Sequence, residues 1–131
     1  AFFLSQAALR HMAERGSGRI VNVSSVIGEM GNIGQANYAA SKSGLFGLTK
    51  TLAREACLLL ARSGKLTAPG GVGLTINTIT PGFIATEMLE HIPEKVLTQI
   101  LSQIPQGRLG KPEEVARVVH FLGFALPARE L

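Results

Sequence analysis

Tyr38 and Lys42, in the stretch "NYAASK", put a phenol and an ammonium four residues apart, on one face of any helix that carries them. An ammonium beside a phenol favours the phenolate, so such a pair can pass a proton to or from a carbonyl or alcohol oxygen. Tyr38 is the only tyrosine in the chain. Ser25 stands thirteen residues earlier, just past a short apolar run, where its hydroxyl could polarise the same oxygen. Spacing alone leaves a second reading open, because Tyr-x-x-x-Lys is also an ordinary i,i+4 surface pair. The surroundings have to decide.

Three glycines lie between the serine and the tyrosine: Gly28, Gly31 and Gly34. Their spacing is GxxGxxG, not the GxGxxG that lets a backbone approach a pyrophosphate. They read as a flexible loop bordering a pocket, not a phosphate cradle. His11, His91 and His120 are far apart without ligand spacing, so no metal site is expected. Ser41 and Ser43 flank the lysine and read as packing or solvent-facing hydroxyls. A hydrolase built on Ser25 lacks a nearby histidine base and a nucleophile elbow. Cys57, the single cysteine, sits in apolar "EACLLLA" and reads as a packed core thiol in a reducing compartment, with a cytoplasmic location expected.

The elements that must position these groups follow from periodicity. Residues 1–15 read as an amphipathic helix with Phe3, Ala7 and Met12 on its apolar side and Arg10–Glu14 as an i,i+4 pair. Gly16 and Gly18 end it. "RIVNVS" reads as a strand, and residues 25–34 as a loop. A long helix follows over about 36–62, with Ala39, Ala40, Leu45, Leu48, Leu52, Ala56, Leu59 and Leu60 as a broad apolar face. Gly44 and Gly47 inside that helix imply a close neighbour there. "LTINTIT" is a second strand, stopped by Pro81 and Gly82. The remainder reads as helical, punctuated by Pro93, Pro105 and Pro112, with "KPEEVARVVHFL" opening on a proline and two glutamates.

Strand, long helix, strand is the order of a parallel α/β sheet. Two strands leave both edges open, so the pattern is that of the second half of a doubly wound, Rossmann-like domain. At 131 residues, 46% apolar and 17% charged, the chain has the composition of one globular domain. Its net charge of +4 comes from scattered Lys and Arg without aromatic interleaving, which argues against nucleic acid. All nine acidic residues are glutamates. No apolar run is long enough to span a membrane.

Several motifs occur in order: "GRIVNVSS", then "GQANYAASKSGLFGLTKTLARE", then "NTITPGFIATEM". On these, over about residues 1–122, the chain resembles the short-chain dehydrogenase/reductase family. It is most similar to 3-oxoacyl-[acyl-carrier-protein] reductases and acetoacetyl-CoA reductases. The resemblance implies NAD or NADP as cofactor and a 3-oxoacyl thioester, on acyl-carrier protein or coenzyme A, reduced to its 3-hydroxyacyl form. Ser25 then matches the serine that polarises the carbonyl, Ser24 being its uninvolved neighbour, and Tyr38 matches the general acid. Lys42 matches the lysine that eases the tyrosine's proton release and holds the nicotinamide ribose. Pro81 and Gly82 match the family's PG turn, beyond which the Ile84 backbone meets the carboxamide and Thr86 sits near the cofactor phosphates or amide. Residues 83–104 correspond to a substrate lid whose Met88, Leu89 and Ile92 either contact an acyl chain or simply pack.

The family's glycine-rich cofactor loop, its cofactor-specificity residue and its catalytic asparagine are expected upstream of Ala1. Residues 123–131 diverge from the family's last strand. The chain is therefore expected to be the catalytic half of an incomplete domain, from a family that forms dimers and tetramers. The alternative reading is a non-catalytic chain that pairs with full-length subunits through its first and long helices.

Overall fold

The computed structural model describes residues 1–66, 73–87 and 92–124. Within them lie α1 (Phe2–Arg15), β1 (Gly18–Val23), α2 (Val26–Met30), α3 (Ala36–Arg62), β2 (Leu74–Ile79), α4 (Glu94–Gln103) and α5 (Pro112–Gly123). Helix α1 stops because Gly16 enters the left-handed region at φ 82°, and its N–H returns to the carbonyls of Met12 and Ala13. The chain then runs straight into β1. Strands β1 and β2 pair in parallel, Gly18 opposite Leu74 through Val23 opposite Ile79. This is an α/β fold with a partial parallel sheet.

Alternation along the strands divides the helices between two faces. Ile20 and its partner Ile76 pack with Leu9 of α1 and Leu52 and Ala56 of α3 to form the core. Burying each such aliphatic side chain contributes about 1.5–3 kcal/mol. Residues of the opposite parity, Val23 and Ile79, look towards α5, where Val115 borders cavities with both. A sheet covered on both faces is the doubly wound arrangement.

The core face also carries a row of buried polar groups. Asn22 and Thr78 stand opposite each other in the ladder. Thr49 of α3 meets both: its Oγ1 accepts from Asn22 Nδ2 at 2.8 Å and from Thr78 Oγ1 at 2.5 Å. Ser5 of α1 adds a longer bond to Asn22 Oδ1 at 3.4 Å. One hydroxyl thus spans two strands at one level of the ladder. Sliding α3 by a single turn, about 5.4 Å, would break both bonds.

Several sequence expectations are corrected. Residues 26–30 are helical rather than loop, because Ser25 caps them. Helix α1 buries Ser5 and Leu9 and packs Met12 against the core as expected, while Phe3 and Ala7, two positions earlier and so about half a turn round the helix, face outward. On α3, Leu52, Ala56 and Leu60 point inward at i,i+4 spacing, which turns Ala40, Cys57 and Leu59 out; Cys57 is exposed, not packed. Nothing lies within 4 Å of a side chain built on Gly44 or Gly47 among the described residues. The Arg10–Glu14 pair is not formed: the only ion pair among the described residues joins Arg108 and Glu114. Residues 83–85 are not helical, and Ile84 forms a parallel bridge to Gly110.

Replacing Thr49 by Val keeps its shape but leaves the Asn22 amide buried without its partner. The expected loss is about 1–3 kcal/mol in urea denaturation, with Thr49→Ser recovering most of it.

Candidate active site

The site lies where the two strands end. The ladder continues one residue beyond β1 through Ser24 N–H to Ile79 O at 2.8 Å. The chains then separate, held by Val26 N–H to Pro81 O at 3.1 Å. Ser25 sits in this opening with extended dihedrals, φ −160° and ψ 153°, as the N-cap of α2. Its Oγ accepts from Ile27 N–H at 3.1 Å, which leaves the hydroxyl hydrogen available.

Three contacts fasten α3 to this corner beside the tyrosine and lysine. Ser24 Oγ donates to the Lys42 carbonyl at 2.8 Å. Ser43 Oγ donates to the Gly28 carbonyl. Gly28 itself lies so near α3 that an added Cβ would stand 2.9 Å from the Lys42 carbonyl carbon and 3.0 Å from Ser43 N. Gly28 is therefore a helix contact, whereas Gly31 and Gly34, at φ 72° and 78°, turn the chain with no described residue within 4 Å of a side chain built there.

Tyr38 and Lys42 share a face of α3, with Lys42 Nζ 5.7 Å from the phenol ring centroid. Lys42 Nζ also donates to Val23 O at 2.9 Å, at the carboxyl end of β1. An ammonium has three N–H donors, so two remain for other partners. Tyr38 stays 40% exposed, enough for a ligand to reach its hydroxyl. Ser41 Oγ bonds the Tyr38 carbonyl and takes no part in the opening.

Ser25, Tyr38, Lys42, Pro81, Gly82, Ile84 and Thr86 all line one cavity of about 380 Å³, closed behind by Pro112 and Val115. A second cavity of about 580 Å³ shares Ser25, Tyr38, Gly82, Ile84 and Thr86. Its further walls are mainly apolar, with Ile27, Ile33, Phe83, Ile92 and Ile100 beside Asn32 and Gln35. Two chambers thus share Ser25 and Tyr38 as lining residues: one also holds the Lys42 cation and the other is mainly apolar. Met88 and Leu89 fall outside the described residues, as does His91. No cluster of three metal-ligating side chains occurs among the described residues, and none of their helices is long and apolar enough to cross a membrane.

The sequence reading missed the back wall. Gly110 N–H donates to Phe83 O at 2.9 Å and Ala85 N–H to Gly110 O at 2.8 Å, fixing Ile84 against the start of α5. There Arg108 grips Glu114 with two bonds, at 2.9 and 2.7 Å, while Glu114 Oε2 accepts from Lys111 N–H at 2.7 Å. The Arg108 hydrogen bond, with the Lys111 amide second, lowers the Glu114 carboxyl to about 2. The glutamates of "KPEE" were legible as a helix start; the six-residue reach from Arg108 to Glu114 was not.

A profile of the family described as "Enoyl-(Acyl carrier protein) reductase" matches residues 1–125. The chain belongs to the short-chain dehydrogenase/reductase family. It is 47% identical over 121 residues to the 3-oxoacyl-[acyl-carrier-protein] reductase of Vibrio cholerae, which covers 92% of this chain but 44% of that protein. It is 52% identical over 112 residues to the acetoacetyl-CoA reductase of Rhizobium meliloti, covering 85% of this chain and 41% of the relative. Against estradiol 17-beta-dehydrogenase 8 of Callithrix jacchus, 47% identity over 122 residues covers 92% of this chain and 81% of the relative. The chain thus spans less than half the length of the two bacterial reductases.

Two outcomes are expected. Gly28→Ala should push α2 off α3 and destabilise the chain by about 1–3 kcal/mol in a denaturant titration, because backbone rather than a flexible side chain blocks the new methyl. The Glu114 carboxyl is lowered on folding, so its contribution is present above its ordinary value of 4.5 and fades as pH falls towards about 2. The stability difference between wild type and Glu114→Gln, measured from neutral pH downward, should shrink across that window.

Proposed function

We propose that this chain carries the proton-transfer half of a nicotinamide-dependent reductase acting on a 3-oxoacyl thioester, held on acyl-carrier protein or coenzyme A. The domain to which it belongs is then one of which residues 1–131 form the catalytic half, with the sequence diverging after residue 122. The observation that carries this reading is the shared cavity wall: a serine, a tyrosine, a lysine and the segment after Pro81 face the same space, and an apolar chamber adjoins it. The family relatives named for 3-oxoacyl and acetoacetyl thioesters agree with that apolar chamber.

The residues present fit the nicotinamide end of NAD or NADP. Among the described residues Lys42 Nζ bonds only Val23 O and nothing lies within 4 Å of a side chain built on Gly82, where a ring can approach, and Thr86 adds a hydroxyl. Lys42 would hold the ribose hydroxyls, and the backbone around Ile84 the carboxamide. The cofactor, when bound, supplies hydride to the carbonyl carbon.

The chain's own groups handle the oxygen. In this reading Ser25 donates its remaining hydrogen to the carbonyl oxygen and holds it beside Tyr38. As negative charge develops on that oxygen, Tyr38 delivers its phenolic proton and the 3-hydroxy group forms. The Lys42 ammonium, tethered to Val23, stabilises the phenolate left behind. Ile33, Phe83, Ile92 and Ile100 give the acyl part an apolar bed from which it would displace water on binding.

The test is to titrate the 131-residue chain with NADH and NADPH and to follow acetoacetyl-CoA reduction through loss of the reduced nicotinamide absorbance. Tyr38→Phe should lower turnover by about 10²–10⁴-fold with little change in nucleotide affinity, while Lys42→Ala should weaken nucleotide binding as well. Nucleotide binding without any dependence of turnover on Tyr38 would sink the reading, and so would failure to bind either nucleotide.

A further inference from the structure

Ile84 borders three cavities: the one with Lys42, the apolar one beside it, and a third of about 380 Å³ bounded by Val26, Met30, Ile104 and Arg108. Among the described residues its segment therefore has space on several sides. Its fixed points are backbone bonds, the pair between Phe83, Ala85 and Gly110. Gly110 lies directly against this segment, so that an added Cβ would stand 2.7 Å from the tip of the Ile84 side chain. What holds Gly110 therefore holds the wall that faces Tyr38 and Lys42.

Gly110 lies between two anchored residues. On one side Arg108 closes a bidentate fork on Glu114 and also donates from Nη1 to Leu109 O at 3.0 Å. On the other, Lys111 N–H is fastened to the same carboxylate. One glutamate on the first turn of α5 thus ties down the residues on both sides of Gly110. A planar guanidinium engaged at two oxygens resists rotation as a single-point lysine contact would not.

We propose that Arg108 and Glu114 are positioning residues for the active-site cavity: through Gly110 they hold the Ile84 backbone at the distance from Tyr38 that a bound nicotinamide requires. The cofactor half of this statement rests on the function proposed above; the mechanical half does not. Neither residue lines the cavity that contains Tyr38 and Lys42, so they act through the Ile84 segment and not by contact with the ligand.

The experiment measures amide hydrogen exchange on the full 131-residue chain and on Glu114→Gln, Arg108→Met and the double variant. Gln at position 114 can still accept from Lys111 N–H, so it removes the ion pair while keeping the helix cap. Exchange at the Ala85 and Gly110 amides should quicken about two- to fivefold, the range of an exposed ion pair. The double variant should be no worse than either single one. The Ser24 amide, bonded to Ile79 across the sheet, should not change, and nicotinamide nucleotide affinity should fall by a similar factor. Unchanged exchange at Ala85 and Gly110 overturns the proposal, and so does an equal rise at Ser24, which would mean that the pair supports the whole chain. A wild-type chain that binds neither NADH nor NADPH counts against the function reading, whereas the exchange pattern decides this one.

Discussion

The placement of α3 along the sheet is the constraint on which the site depends. Tyr38 and Lys42 lie in its first two turns, and their position relative to Ser25 is inherited from where the helix sits on β1 and β2. Apolar packing of Leu52 and Ala56 against Ile20 and Ile76 pulls the helix onto the sheet but is forgiving about sliding. Directional bonds set the register. Thr49 meets Asn22 and Thr78 at one level of the ladder, and Ser24 takes the Lys42 carbonyl two turns earlier. The hydrophobic contacts supply most of the attraction, while the polar ones select one position. A buried hydrogen bond contributes modestly when made but costs heavily when broken, which makes it suited to this task.

The same economy recurs at the corner itself. Gly28 lets α2 approach α3 until backbone meets backbone, and Ser43 closes the contact from the other side. Lys42 then holds the end of β1 at two points, its backbone carbonyl tied to Ser24 and its ammonium to Val23. The cation is braced before any ligand arrives, so less order remains to be imposed on binding.

Much of this was legible in the sequence because it depends on local spacing. Tyr38 and Lys42 share a helical face by arithmetic, the strand ends are marked by Ser24 and Pro81, and Pro112 with two glutamates announces α5. What was not legible depends on which way an element rolls once packed. Phe3 and Cys57 sit in apolar stretches that several helical faces could bury, and tertiary contact chose the faces with Leu9 and Ala56 instead. Residues 26–30 looked like loop because Gly28 and Gly31 lower helix propensity; the Ser25 cap and the contact with α3 override it over five residues. The Arg108–Glu114 fork was hidden because it closes across a turn, where no periodicity points from one partner to the other.

Ser25 spends one lone pair of its oxygen on the Ile27 amide, and that has a chemical consequence of its own. A free hydroxyl can accept two hydrogen bonds and donate one; this one enters the cavity with its acceptor side half committed and its donor side intact. Helix capping therefore biases this hydroxyl towards giving a hydrogen rather than taking one. The turn that folds the chain thus also decides which hydrogen-bonding capacity Ser25 brings to the cavity.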